Sequence, residues 1–126
     1  MTNKNITENF KYSELVCPCC SRLKITERLY KHMELLQQMR DTLGFSIIIN
    51  SGYRCESHNK NVGGSLNSQH MKSFATDVRP SYGNGFKQRL RKMYELAESL
   101  GFVGIGEYES FIHLDLRKGK KARWNG

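Results

Sequence analysis

Two histidines and an aspartate, His70, Asp77 and His113, carry the clearest chemistry in this chain. Two imidazoles and a carboxylate supply three ligands to a tetrahedral zinc and leave the fourth position open, as a hydrolytic site needs. An ion held in that way lowers the pKa of bound water and polarises a carbonyl, which brings hydrolysis within reach at neutral pH. Nucleophilic catalysis has less support. Ser68 stands near His70, but no nucleophile elbow surrounds it, and Cys55 lies in no cysteine-protease signature.

Sulfur offers a second constellation. The four cysteines are Cys17, Cys19, Cys20 and Cys55, three of them within four residues, a spacing awkward for a disulfide framework. Cys17 and Cys20 form a C-x-x-C, and Cys55 with His58 forms a C-x-x-H, together a four-ligand set suited to a structural zinc. The competing reading is reduced thiols, some packed as small apolar residues.

The elements that must position these groups follow from periodicity. A helix is predicted over about 27–43, with Thr26 as N-cap, a stripe of Leu29, Met33, Leu36, Met39 and Leu43, and Gly44 at the left-handed C-terminal position. Residues 46–50 read as a buried β-branched strand, and 75–78 as a short strand that Pro80 helps to end. Between them, 51–70 is polar and glycine-bearing without a clear element, the kind of long loop that is often functional. A second helix is predicted over about 85–100, with Phe86, Leu90, Met93, Ala97 and Leu100 as its apolar face. Strands over about 103–108 and 111–116 follow, separated by Glu109-Ser110 at hairpin length. Strand alternation puts Ala75 and Asp77 on one face; in the last strand Phe111, His113 and Asp115 lie opposite Ile112, Leu114 and Leu116. The whole reads as one α+β domain, an antiparallel sheet with helices packed on it, and about 1–9 and 118–126 as tails.

The ordered set Ser51-Gly52-Tyr53-Arg54, Asn59, Val62-Gly63-Gly64, Asn67-Ser68-Gln69-His70, Asp77 and Phe111-Ile112-His113-Leu114-Asp115 resembles the zinc D-Ala-D-Ala peptidase family, in its small single-domain bacterial and phage branch. The resemblance covers about Phe10 to Arg117 and implies the hedgehog/D-Ala-D-Ala peptidase fold. It implies that His70, Asp77 and His113 hold one catalytic Zn2+. Arg54 would bind the substrate carbonyl or stabilise its oxyanion, a task for an always-protonated guanidinium. Ser68 would shape the loop or touch substrate, and His58 and Asn59 would brace it. Two departures stand out. Ser73 occupies a position where relatives commonly have Gly, and Ser110 stands where many carry the acidic general base, three residues before the last histidine. The base must come from elsewhere: Asp115 first, which could equally orient an imidazole, then Glu107 or Glu109.

Composition bounds the partners. The 126 residues carry 20 Lys+Arg against 12 Asp+Glu, a formal charge of +8, which suits an anionic partner without naming one. No apolar run spans a membrane, no nucleic-acid-binding motif is present, and residues 1–6 lack the apolar core of a secretory signal. The expectation is a monomeric zinc peptidase acting on peptidoglycan peptide, with no nucleic acid or membrane as partner. Its substrate would be D-Ala-D-Ala or a stem or crossbridge bond. A phage lysin made in the cytoplasm, meeting the wall after release, fits this. The alternative is a non-catalytic wall-binding or phage structural member of the same fold, favoured by Ser110.

Overall fold

Hydrophobic spacing and capping convert into ten helices and strands among the described residues, 4–65, 67–72 and 74–126, of the computed structural model. Ser73 lies outside them. In chain order the elements are β1 (Asn5–Thr7), β2 (Phe10–Lys11), α1 (Glu27–Leu43), β3 (Ile47–Ser51), α2 (Glu56–Asn61), β4 (Ala75–Pro80), α3 (Phe86–Leu100), β5 (Gly104–Glu107), β6 (Ile112–Asp115) and β7 (Ala122–Asn125). The fold is α+β, as the sequence predicts.

The helices end where their caps place them. Thr26 Oγ1 accepts from the Leu29 amide at 3.1 Å, and Gly44, at φ 74°, closes α1 by donating its amide to Arg40. The buried stripe of α1 is Leu29, His32, Met33, Leu36 and Met39, so a histidine sits in a row that the pattern assigned to apolar residues. From α3, Leu90, Met93 and Ala97 join the same core, which is completed from the sheet by Val78, Ile105, Ile112 and Leu114.

The five-stranded sheet runs β3-β4-β6-β5-β7. Its first three ladders are antiparallel, but β7 pairs with β5 in parallel. The sequence pattern failed here, since 118–126 is no tail. Ala122–Asn125 is a short basic stretch with one aromatic residue and no alternation of its own. It becomes a strand because β5 offers an open edge and Gly106 leaves space for Trp124. The start of the chain is likewise packed: β1 pairs with β2, and Thr7 and the Asn9 amide both donate to the Gln37 side-chain oxygen on α1.

Two other boundaries differ. The stretch read as a bare loop contains α2, too short and polar to announce itself by periodicity, and a 3-10 turn over Gln69–Lys72. Strand β4 extends through Pro80, which occupies the strand end opposite Ile47, where a missing amide costs least.

Candidate metal centre

Register brings the site together. In the β4–β6 ladder Asp77 lies directly opposite His113, and Ala75 opposite Asp115. Residues so paired share a face, so Asp77 and His113 point to the same side, away from the core side that holds Ile112 and Leu114. His70 joins them from the 3-10 turn. Its amide donates to Ser68 Oγ at 3.2 Å, and its ring Nδ1 donates to the Gly52 carbonyl at 2.7 Å. Gly52 is needed for packing: a Cβ there would lie 2.8 Å from the Leu15 backbone, whose carbonyl accepts from Tyr53. The Arg54 amide in turn donates to the His70 carbonyl. The Ser-Gly-Tyr-Arg segment therefore clamps the histidine to the N-terminal segment.

The three donor groups fit a metal ion. His70 Nε2 lies 3.1 Å and His113 Nδ1 2.9 Å from one oxygen of Asp77, and all three residues are buried, at most 8% exposed. One ligand atom of each lies within 4.8 Å of the others. Both tautomers are set from outside the cluster. A carbonyl can only accept, so His70 carries its proton on Nδ1; His113 Nε2 faces Asp115 Oδ2 at 2.7 Å and donates to it. Two nitrogen lone pairs and a carboxylate oxygen then converge on one point, an arrangement that repels itself unless a cation or proton lies between them. Without an ion a proton takes that place: burial alone would raise the Asp77 carboxyl, but the bonds it then accepts from His113 and His70 outweigh this and hold it below the usual carboxylate range. The donor set, nitrogen and oxygen from buried groups, is one zinc accepts.

Asp115 sits behind His113 rather than in the cleft. The residue is fully buried, and both oxygens are taken: Oδ2 by His113 and by Arg117 Nη2 at 2.7 Å, Oδ1 by the Arg117 amide and Nε at 3.0 Å. Burial would raise its carboxyl, yet His113 and Arg117 together hold it well below the ordinary value. On His113 burial works to lower the ring and the two carboxylates to raise it, and the carboxylates win. Asp115, expected first as general base, turns both oxygens to His113 and Arg117, the placement of its alternative as a carboxylate that orients an imidazole. Glu107 pairs with Arg91 at 2.9 Å, and with Glu109 it borders a separate depression beside α3. None of these three carboxylates lines the metal cleft.

That cleft, of about 550 Å³, is lined by the metal-site residues, Arg54, the loop around Ser68, Arg117 and an aromatic wall of Tyr108, Phe111 and Trp124. Arg54 is fixed on three sides, donating to Ser51 Oγ and Asn59 Oδ1 at 3.3 Å and to the second Asp77 oxygen at 3.4 Å. Asn59 is buried and also donates to the Ser65 carbonyl, and a Cβ at Gly64 would collide with its side chain. Ser68 lines the cleft while its hydroxyl caps the His70 turn.

Sequence reasoning missed Arg117, Trp124 and the pair Gly104 and Gly106. Arg117 lies just before the stretch read as a tail and was given no role, but it grips Asp115 and lies over the Trp124 ring, 5.0 Å from its centroid. Trp124 donates to the Tyr108 hydroxyl at 2.9 Å, and Tyr108 stacks on Phe111. Gly104 and Gly106 pair with Asp115 and His113, and a Cβ on either would strike Asp115 or Trp124. Alternating glycines at 104 and 106 were the available signal: in a strand they mark close approach by another group.

The cysteines gather differently from the expectation. Cys17, Cys19, Cys20 and Cys55 form one cluster with every sulfur within 4.8 Å of the others, and the His58 ring is not part of it. Cys55 is the N-cap of α2 and its sulfur accepts from the His58 amide at 3.4 Å, so the C-x-x-H spacing serves a helix start rather than paired ligation.

A family model described as Peptidase M15 matches residues 8–115. No curated protein matches the chain.

Proposed function

Because the chain belongs to the peptidase M15 family, the zinc D-Ala-D-Ala carboxypeptidases, and is thereby a metallopeptidase, we propose that it hydrolyses a peptide bond of bacterial peptidoglycan. The observation that carries this is the convergence of His70 Nε2, His113 Nδ1 and Asp77 on one point inside a cleft walled by two arginines. Zinc, when bound, supplies Lewis acidity toward water and the peptide carbonyl. The chain's own residues do the rest. His70 and His113 are held in the tautomers that leave their inward nitrogens free. Arg54, oriented by Ser51 and Asn59, presents donors where negative charge develops on the carbonyl oxygen. Arg117 lines the same cleft and, with Nε and Nη2 holding Asp115, still adds a second guanidinium to its wall, which supports a substrate with a carboxylate near the cleaved bond, as peptidoglycan stem peptides have. The aromatic wall gives the peptide an apolar face to lie against. The +8 charge supports attraction to an anionic wall, the setting in which a phage lysin works.

One observation favours the second reading, a wall-binding member without catalysis: among the described residues Asp77 is the one carboxylate lining the cleft, so no separate acidic base stands there. Incubation of zinc-loaded protein with purified peptidoglycan, followed by mass spectrometry of the soluble fragments, separates the two. The peptidase reading expects released peptides or D-alanine with wild type and none with His70→Ala. Wild type that binds zinc and sediments with the wall but releases nothing would establish the binding role.

A further inference from the structure

We propose that Cys17, Cys19, Cys20 and Cys55 form a second metal site, a mononuclear tetrathiolate zinc that staples the N-terminal segment to the loop carrying Arg54. The sulfur spacing is the first observation. Cys17 lies 3.5 Å from Cys19 and 3.6 Å from Cys55, and Cys19 lies 3.3 Å from Cys55. Zinc–sulfur bonds of ~2.3 Å in a tetrahedron put the sulfurs about 3.8 Å apart. A disulfide needs about 2.05 Å, which no pair approaches, and all four thiols are free. Four sulfurs gathered within 4.8 Å of one another surround a single ion and leave no room for an iron–sulfur cluster at their centre.

The backbone around the cluster supports the same conclusion. The Cys55 amide points at Cys17 Sγ at 3.5 Å and the His58 amide at Cys55 Sγ at 3.4 Å, donors that stabilise thiolate charge. The segment Cys17-Pro18-Cys19-Cys20 is closed into a turn by Ser21 donating to the Cys17 carbonyl and Cys17 donating to the Arg22 carbonyl, both at 2.8 Å. Ser21 takes φ 57° to allow it, the one non-glycine residue with positive φ among the described residues. The turn directs three thiols toward a fourth that lies 38 positions from Cys17. Cys17 is buried while Cys19 and Cys20 are exposed, so the ion has a route in from solvent.

The consequence reaches the cleft through the chain. Cys55 follows Arg54 directly, and Tyr53 bonds the Leu15 carbonyl two residues before Cys17. An ion here fixes both ends of the Ser-Gly-Tyr-Arg clamp. Soft thiolates select zinc over the hard divalent ions. The site is independent of the peptidase reading and stands or falls without it.

The test uses the full chain produced with zinc and purified under reducing conditions. Elemental analysis is expected to find two zinc ions in wild type, one in His70→Ala and one in Cys17→Ser/Cys55→Ser. Since the cysteine variant can fail to fold, His70→Ala reloaded with cobalt carries the test alone. Intense sulfur-to-cobalt charge-transfer absorption in the near ultraviolet, with tetrahedral d–d bands in the visible, is the expected result. Overturning results are a His70→Ala protein that holds no metal or holds iron, a cobalt spectrum without thiolate bands, or fewer than four titratable thiols in the metal-stripped, unfolded chain.

Discussion

Replacing Asp115 with Asn tests whether this carboxylate positions His113 or acts on substrate. The side chain is fully buried and accepts from His113 Nε2 and from three donors of Arg117. An amide of the same shape has one oxygen and one NH2 group, so it cannot accept on both sides. Either His113 or Arg117 then meets a donor. If it is His113, the ring gains by moving its proton to Nδ1, the atom that faces Asp77. Its ligating lone pair is then lost unless the tautomer reverts. Outer-shell partners of metal-bound histidines typically contribute 10–100-fold to metal affinity, about 1.4–2.7 kcal/mol. The upper part of this range is expected, because the bond is charge-assisted, short and dry. Competition with a chromophoric chelator gives the zinc dissociation constant. The expected result is a weakening of roughly 30–100-fold, with kcat restored to within about tenfold of wild type once zinc saturates the site. Unchanged zinc affinity with kcat lowered by more than a thousandfold at saturating zinc would refute the positioning role and return Asp115 to the chemistry. Circular dichroism and thermal melting separate either result from misfolding.

Three further predictions follow from the same contacts. His32 is fully buried, hydrogen-bonded through Nε2 to Thr76 with Nδ1 unpartnered, and burial pushes its imidazole down to about 3 from an ordinary 6.5. Its folded pKa lies below the unfolded one, so its contribution is whole above about pH 6.5 and is lost as pH falls. Between pH 7 and 5 that loss is about 2 kcal/mol, and the wild-type minus His32→Leu difference in urea-unfolding free energy should shrink by that amount; a pH-independent difference would contradict it. Arg54→Ala should lower kcat by about 10²–10³ with Arg54→Lys recovering little, because a point charge cannot keep the bonds to Ser51, Asn59 and Asp77; a pure KM effect would limit Arg54 to uniform substrate binding. Gly104→Ala places a methyl against the Asp115 carboxylate and should cost roughly 1–3 kcal/mol in chemical unfolding while also weakening zinc binding; loss of neither would mean that β5 can shift to make room.

The lysine- and arginine-rich C-terminal stretch shows why some of this escaped pattern reading. Helix α1 was legible because its stripe, its Thr26 cap and Gly44 all repeat or punctuate locally. Strand β7 has no such local signature, and only the open edge of β5 and the space over Gly106 make it a strand. Arg117 and Trp124 therefore entered the cleft unseen. The same applies to α2, whose six residues depend on the Cys55 cap and on the buried Asn59 rather than on helix propensity.

By itself the sequence determined the residue types and their faces. His70, Asp77 and His113 in order with a Ser-Gly-Tyr-Arg segment carried the resemblance to a zinc peptidase family, and strand alternation gave the faces within the α+β frame, because side-chain direction in a strand follows from a period of two. Tertiary structure alone decided which groups converge in the cleft and which stand behind them. Alternation places His113 and Asp115 on one face without saying that Asp115 is sealed between an imidazole and a guanidinium. Nor does spacing along the chain show that four sulfurs meet, since Cys17 and Cys55 lie 38 positions apart and come together through packing such as the Leu15–Tyr53 contact. Burial and distance are properties of the packed chain, which is why spacing alone left open the place of Asp115 and the gathering of the cysteines.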